Sequence, residues 1–434
     1  MPTASSPAPL TVSERRRVWS WALCDWANSA FATVVMAGFF PVFFKQFWAS
    51  DLTPTDSTFW LGAVNSLASL LVVLTAPLLG ALADRLGAKR RFLIAFTALG
   101  VLASGALHWL GQGQWELALL WYLLGLLGFS GSNLFYDALL VEVTAPARYE
   151  RVSSFGYALG YLGGGLLFAV NVVMTQQPHW FGLADAAAAV RWSFLGVAIW
   201  WALFTVPVML WVPERPGNAV GWGAAVRAAV VELATTLRQI RRLPQTFLLL
   251  IAYWLYIDGV DTIVRMAVDY GLALGFAAGH LMGALLLAQF VGFPAALLFG
   301  WLGARWGAKR GILLAIGVYL PIVVAAALLR TAAEFYLLAA AIGLVQGGIQ
   351  SLSRALFAHL TPARHSAEFF GFFNMVGKFA AVLGPALVAI TAALTDDPRW
   401  SLLPVVALFL FGGALLWRVD PVAGRAAALA HQRP

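Results

Sequence analysis

Apolar residues in this chain come in long runs separated by brief polar punctuation. Each run is near the roughly 20 residues that a helix needs to cross the hydrocarbon core of a bilayer. About twelve spans are predicted on that length criterion. In the first half they lie near Trp19–Phe44, Phe59–Leu82, Phe92–Leu110, Leu117–Val141, Ser154–Met174 and Trp192–Trp211. In the second they lie near Thr246–Leu274, Leu281–Leu302, Ile312–Leu329, Phe335–Ala358, Phe370–Leu394 and Leu402–Trp417. Connections are short except for Val212 to Gln245, which opens with the breaker cluster Pro213-Glu214-Arg215-Pro216-Gly217. The fold class predicted is an all-α membrane protein of two six-helix bundles, residues 18–211 and 246–418. A disordered start (1–17), a linker (212–245) and a tail (419–434) complete it.

The two halves repeat each other. Gly80-Ala81-Leu82-Ala83-Asp84-Arg85-Leu86-Gly87-Ala88-Lys89-Arg90-Arg91 returns as Gly300-Trp301-Leu302-Gly303-Ala304-Arg305-Trp306-Gly307-Ala308-Lys309-Arg310. Glycines, arginine and the Lys-Arg pair keep their register, while Asp84 becomes Ala304. A second pair runs from Asp137-Ala138-Leu139 through Thr144-Ala145-Pro146-Ala147-Arg148 to Phe155-Gly156. Its echo runs from Arg354-Ala355-Leu356 through Thr361-Pro362-Ala363-Arg364 to Phe370-Gly371. Parallel repeats of this kind are typical of secondary transporters, with the substrate site between the halves near the midplane.

Composition agrees with a membrane protein: 61% of the 434 residues are hydrophobic and 11% charged, against about 45–50% and about 25% in soluble domains. The net charge of +8 would suit nucleic acid, but the cations sort to one side of the predicted membrane. Arg15, Arg16, Arg17, Arg85, Lys89, Arg90, Arg91, Arg148, Arg151, Arg305, Lys309, Arg310, Arg364, Arg418, Arg425 and Arg433 share that side with the linker arginines. Only Lys45, Arg191, Arg330 and Arg399 lie opposite. Positive loops track the cytoplasm, so both termini and the linker are expected there, in a cell (inner) membrane, with no nucleic-acid partner. The linker stretch Trp222 to Leu243, with Arg227, Arg238, Arg241 and Arg242, reads either as a basic amphipathic helix on an anionic membrane face or as a plain connection. Met1 to Thr11 lacks the pattern of a signal peptide. The single cysteine, Cys24, excludes an intramolecular disulfide.

Ionisable residues inside spans cost about 2.5–3.5 kcal/mol on insertion scales and are functional candidates by default. Asp258 falls near mid-membrane in span seven, and Lys378 falls at a similar depth in span eleven, with Asn374 one turn earlier on its face. The pair either lines the cavity and binds the opposite charges of a zwitterion, or bridges two helices. Asp261 and Arg265 stand at i, i+4 and neutralise each other on one face. Span one carries Asp25 and Asn28, the former a proton carrier or a partner for a cytoplasmic cation; Asp137 and Asp258 qualify as proton carriers on the same grounds. Span four carries Asn133, Asp137 and Glu142, and span ten Gln346, Gln350 and Arg354. No phosphate-binding loop, hydrolytic triad or metal motif stands out. No enzymatic activity or cofactor is therefore expected, and ATP-driven pumping is excluded in cis.

The stretch Gly80 to Arg91 resembles the signature of the major facilitator superfamily, with Asp84, Arg85, Gly87, Lys89 and Arg90 in place. Cys24-Asp25-Trp26-Ala27-Asn28-Ser29-Ala30-Phe31, Tyr136-Asp137-Ala138-Leu139-Leu140 and Gly156-Tyr157-Ala158-Leu159-Gly160-Tyr161-Leu162-Gly163-Gly164-Gly165 resemble one branch. So do Gly347-Gly348-Ile349-Gln350-Ser351-Leu352-Ser353-Arg354 and Glu368-Phe369-Phe370-Gly371-Phe372-Phe373-Asn374. That branch, the "unknown major facilitator" group, is related to the vacuolar amino-acid effluxers of autophagy. The resemblance implies a monomeric secondary carrier of a small metabolite, a neutral amino acid being the candidate, with protons as the candidate coupling ion. It also implies an Asp137–Arg354 bridge between the halves, and a latch from Asp84 to the start of a second-half helix. The echo residues Gly300, Arg305, Gly307, Lys309 and Arg310 then belong to the same gating layer, without the acid. Two alternatives stay open: an extruder of hydrophobic drugs, which would want an apolar cavity, and a non-transporting receptor built on a carrier fold.

Overall fold

The computed structural model describes residues 10–214, 217, 223, 226–227, 243–273, 275–395 and 400–430. Among them the chain is helical, with no strand. The predicted linker helix from Trp222 to Leu243 lies almost wholly outside the described residues, as do Arg238, Arg241 and Arg242.

The first helix, α1 (Val12–Trp48), begins earlier than its apolar run. Thr11 Oγ1 accepts from Glu14 N at 3.2 Å, and Glu14 Oε2 accepts from Thr11 N at 2.9 Å. This reciprocal cap satisfies two donors at the helix start, so Val12 to Arg17, grouped above with the disordered start, is helical. The far half of α1 winds wider, as π-helix over Phe31–Phe39 and Phe44–Trp48. It turns Phe31, Phe39, Phe40 and Phe44 into a buried cluster with Tyr122, Phe168 and Trp201.

The first half continues with α2 (Pro54–Leu86), α3 (Lys89–Trp109), α4 (Trp115–Val143), α5 (Tyr149–Gln176) and α6 (Ala186–Trp211). The second half comprises α7 (Pro244–Ala273), α8 (Ala278–Trp306), α9 (Ala308–Ala327), α10 (Ala332–His359), α11 (Ser366–Thr395) and α12 (Val405–Arg418). A last helix, α13 (Pro421–Ala430), turns 63° from α12 and packs on α7 and α10. Among the described residues ten helices are long and apolar enough to cross a bilayer. The 30-residue α11 and the 14-residue α12 fill the eleventh and twelfth places of the predicted array.

Lipid leaves apolar surface no reason to hide, so interhelical fit rests on packing and small residues instead. Leu74 (63% exposed) and Leu102 (68%) accordingly stand outward from the bundle. The two halves meet through α2–α11, α5–α8, α5–α10 and α4–α11. The helix ends joined by the Gly-Ala-Lys-Arg turns share one end of the molecule, called the basic end below.

Candidate functional site

A positive-φ glycine ends the helix at the basic end in both repeats, left-handed at Gly87 (ψ 40°) and extended in ψ at Gly307 (ψ 146°). Gly87 (φ 59°) ends α2 and Gly307 (φ 89°) ends α8, both in the region that favours glycine. The cations that follow fasten the turn to the last helix of their own half. Arg90 donates from Nη1 to the carbonyls of Met209 (3.2 Å) and Val212 (2.8 Å) at the end of α6. Lys309 donates from Nζ to Trp417 O (2.6 Å) and Val419 O (2.8 Å) at the end of α12. Cations here suit the partial negative charge of a helix C-terminus. Arg305 lies over the Trp301 ring, Arg310 is exposed, and Arg85 stands part-buried at the end of α2.

Among the described residues the first repeat adds a carboxylate that reaches across to the other half. Asp84 Oδ2 accepts from the backbone N–H of Glu368 at 2.8 Å, in the first turn of α11. Its Oδ1 lies 2.9 Å from Lys89 Nζ, which also reaches Glu142 Oε1 (2.6 Å) and Ser366 Oγ (2.7 Å). An unpaired N–H at a helix start is a natural seat for a carboxylate. Ala304 offers no such group. Gly80 makes the approach possible: a Cβ there would lie 2.2 Å from Ala367 O and 2.8 Å from Glu368 Cα. One helical turn deeper, a Cβ on Gly371 would lie 2.7 Å from Ala76 O and from Pro77 Cα. In the symmetry-related contact, Gly300 of α8 receives Ser154 of α5.

Below this layer the halves are joined by a buried ion pair. Arg354 of α10, 2% exposed, donates from Nη1 to Asp137 Oδ1 of α4 at 2.9 Å. Its Nε donates to Ser153 Oγ (2.8 Å) and its Nη2 to Ser153 O (2.8 Å), both on α5. The guanidinium carbon lies 4.4 Å from the Tyr157 ring centre, 4.9 Å from Tyr136 and 5.0 Å from Trp21. A planar, weakly hydrated fork suits such a seat, and lysine does not. Asn374 of α11 completes it, donating to Asp137 Oδ2 at 3.2 Å and to Phe370 O at 3.0 Å. Ser153 Oγ also donates to Ser351 O (2.7 Å), and the Ser154 and Ser351 hydroxyls lie 2.8 Å apart. Glu150 and His359 add a further contact between halves at 3.0 Å.

The polar column continues deeper into the first half. Asp25 accepts from Ser29 Oγ and from Tyr136 OH, each at 3.2 Å. Asn28 Nδ2 donates to Asn133 Oδ1 at 2.7 Å. Further along, Gln289 of α8 donates to Thr33 Oγ1 of α1 at 3.0 Å. The glycine face of α5 lets α1 come this close: a Cβ on Gly160 would lie 2.9 Å from Asp25 Oδ1, and one on Gly164 2.7 Å from Thr33 Oγ1.

Two of the candidate residues have partners that the sequence did not single out. Asp258 is buried completely, and α11 backbone holds it. Its Oδ2 accepts from Leu383 N (3.1 Å), its Oδ1 from Gly384 N (2.9 Å) and from Thr262 Oγ1 (3.4 Å). Asn374, named above as a candidate one turn from Lys378, joins the Arg354–Asp137 cluster. Lys378 and Asp261 are partly buried on α11 and α7, and Gln346 and Gln350 are partly buried on α10. The Arg265 side chain lies outside the described residues. Ser153 was missed entirely; its only signal is a Ser-Ser pair opening span five.

Two repeated helical bundles, joined at one end by buried charge and by glycines, define a multi-pass membrane transporter of the major facilitator type. The chain belongs to the vacuole effluxer Atg22-like family, whose profile matches residues 52–146 and 141–429. It is 37% identical over 400 residues to the uncharacterized MFS-type transporter YxiO of Bacillus subtilis, covering 92% of this chain and 93% of that one. It is 28% identical over 301 residues to Autophagy-related protein 22 of Cryptococcus neoformans, covering 64% of this chain and 54% of the fungal protein. Among solved structures it resembles the human organic anion transporter MFSD10 (TM-score 0.70, 17% identity, 93% of this chain and 99% of that one). It likewise resembles the proton:xylose symporter XylE (TM-score 0.71, 13% identity, 97% and 98%). At these identities the two structures share the fold alone.

Proposed function

We propose that this protein is a secondary active carrier of a small zwitterionic metabolite, a neutral amino acid, working by alternating access. In this reading the basic end faces the cytoplasm of a cell-membrane protein that acts as a monomer, and the structure is its inward-closed state. The observation that supports it most is the Arg354–Asp137–Asn374 cluster, which joins the halves at one end and has to part before that end can open. A buried pair of this kind is a poor source of net stability. Its use as a contact that forms and breaks explains its placement better than its use as glue.

The driving ion in this reading is the proton, carried on Asp25. That carboxylate is buried and held by two hydroxyls, one layer deeper than Asp137. Any change in its charge is felt through Tyr136, on which the Arg354 guanidinium rests.

The test is flux of radiolabelled neutral amino acids into proteoliposomes, with and without an imposed pH gradient. Accumulation above protein-free vesicles that collapses when the gradient is dissipated is expected. Equilibration without accumulation would remove the proton from the scheme. No flux of any neutral amino acid in either direction would overturn the substrate class.

A further inference from the structure

A cavity of about 980 Å³ opens at the basic end of the second half, under α13. The α8–α9 turn, the ends of α10 and α12, and α13 line it, and Glu150 reaches in from α5. It is distinct from the Arg354 cluster.

The chemistry of its walls is divided. Arg310 and Arg425 are exposed at the cavity, and neither has a hydrogen bond or ion pair to another described residue. Lys309, beside them, is committed to the carbonyls that hold the α12–α13 corner. Glu150, the one carboxylate of the lining, lies 3.0 Å from His359 Nε2. The remaining wall is apolar and open: Trp417 is 72% exposed, Val422 79% and Leu429 53%. Trp306 and Trp417 close α8 and α12, where a crossing helix leaves the hydrocarbon and indoles gather.

Two unpartnered guanidinium groups next to exposed apolar side chains, at that depth, fit a ligand with an anionic head and an apolar body. A soluble anion would use the arginines and leave the tryptophans idle. We propose that this cavity binds an anionic phospholipid, its phosphate between Arg310 and Arg425 and its acyl chains along Trp417, Val422 and Leu429. The 63° turn between α12 and α13 builds the site, because it lays α13 across the end of the bundle instead of continuing α12 away from it.

The experiment is native mass spectrometry of the full chain released from phosphatidylcholine vesicles doped with phosphatidylglycerol. The protein is expected to retain phosphatidylglycerol. Each basic residue near a membrane surface strengthens anionic-lipid binding about fivefold, so Arg310→Gln with Arg425→Gln should weaken retention roughly thirtyfold. Arg310→Lys with Arg425→Lys should keep most of it, which separates loss of charge from damage to the fold. Arg305→Gln, a neighbouring cation outside the cavity, should weaken retention by no more than the general surface effect of about fivefold. Retention undiminished in the double glutamine variant would overturn the proposal. So would glycerol phosphate, a head without chains, binding as tightly as the lipid. Neither readout needs a substrate, so the result is independent of the transport reading.

Discussion

Replacing Gly80 with alanine should wedge the basic end open. The added Cβ would lie 2.2 Å from Ala367 O, 2.6 Å from Ala367 C and 2.8 Å from Glu368 Cα. Non-bonded carbon contacts settle near 3.5–4.0 Å, and these neighbours are backbone, so α2 and α11 have to part by about 1 Å or more. The Asp84–Glu368 N–H bond, 2.8 Å long, then stretches beyond hydrogen-bonding distance. A hydrogen bond to a charged group contributes about 1.5–3 kcal/mol, which shifts the closed-to-open ratio roughly tenfold to 150-fold. Helix propensity favours alanine in both states and cancels. The assay is pulsed EPR between spin labels at the exposed positions Arg91 and Arg364, on opposite halves, in a Cys24→Ser background. The long-distance population should grow in Gly80→Ala and stay unchanged in Gly62→Ala, where a Cβ meets nothing within 4 Å. Identical distance distributions in wild type and Gly80→Ala would refute the reasoning.

Asp84→Asn keeps one acceptor for Glu368 N–H but loses the charge that Lys89 faces. It should open the same labelled pair less than Gly80→Ala does, with topology unchanged by cysteine accessibility. Arg354→Lys should slow flux at least tenfold, since an ammonium cannot serve Asp137 and both Ser153 oxygens from one plane. Exchanging the charges, Asp137→Arg with Arg354→Asp, should not restore it, because a carboxylate among Trp21, Tyr136 and Tyr157 has nothing to donate. Full rescue by the exchange would show that only the charge pair matters. Asp258→Ala leaves the α11 amides of Leu383 and Gly384 without that acceptor, at about 1–3 kcal/mol for the buried Gly384 amide. It should lower thermal stability measurably, with Asp258→Asn intermediate; lost flux with wild-type stability would return Asp258 to the substrate site.

Much of this was legible before the structure because membranes simplify sequence. Span length, the repeat and the rarity of charge inside a span marked Asp137 and Arg354 as candidates, and the family resemblance supplied their bridge and the Asp84 latch. The partners of Asp258 were not legible for a definite reason. Depth and charge mark a residue as costly without saying what relieves the cost, and the relief here comes from main-chain amides of another helix. Ser153 was invisible because a serine inside a helix has many uses, and its carbonyl contributes as much as its hydroxyl. The glycines of α5 stood in the sequence only as part of a resemblance, and the structure shows what they pack against: the polar face of α1. The α13 turn could not be foreseen either, since Asp420-Pro421 reads equally well as the start of a loose tail.

The central claim is that the halves must separate at the basic end for transport. Ser154 of α5 and Ser351 of α10 face each other with hydroxyls 2.8 Å apart, buried and outside the Arg354 hydrogen bonds. In a Cys24→Ser background, Ser154→Cys with Ser351→Cys should form a disulfide on mild oxidation and tie the halves together. The account predicts that flux in proteoliposomes stops on oxidation and returns on reduction, while each single cysteine variant transports throughout. Undiminished flux through a fully cross-linked protein would contradict it.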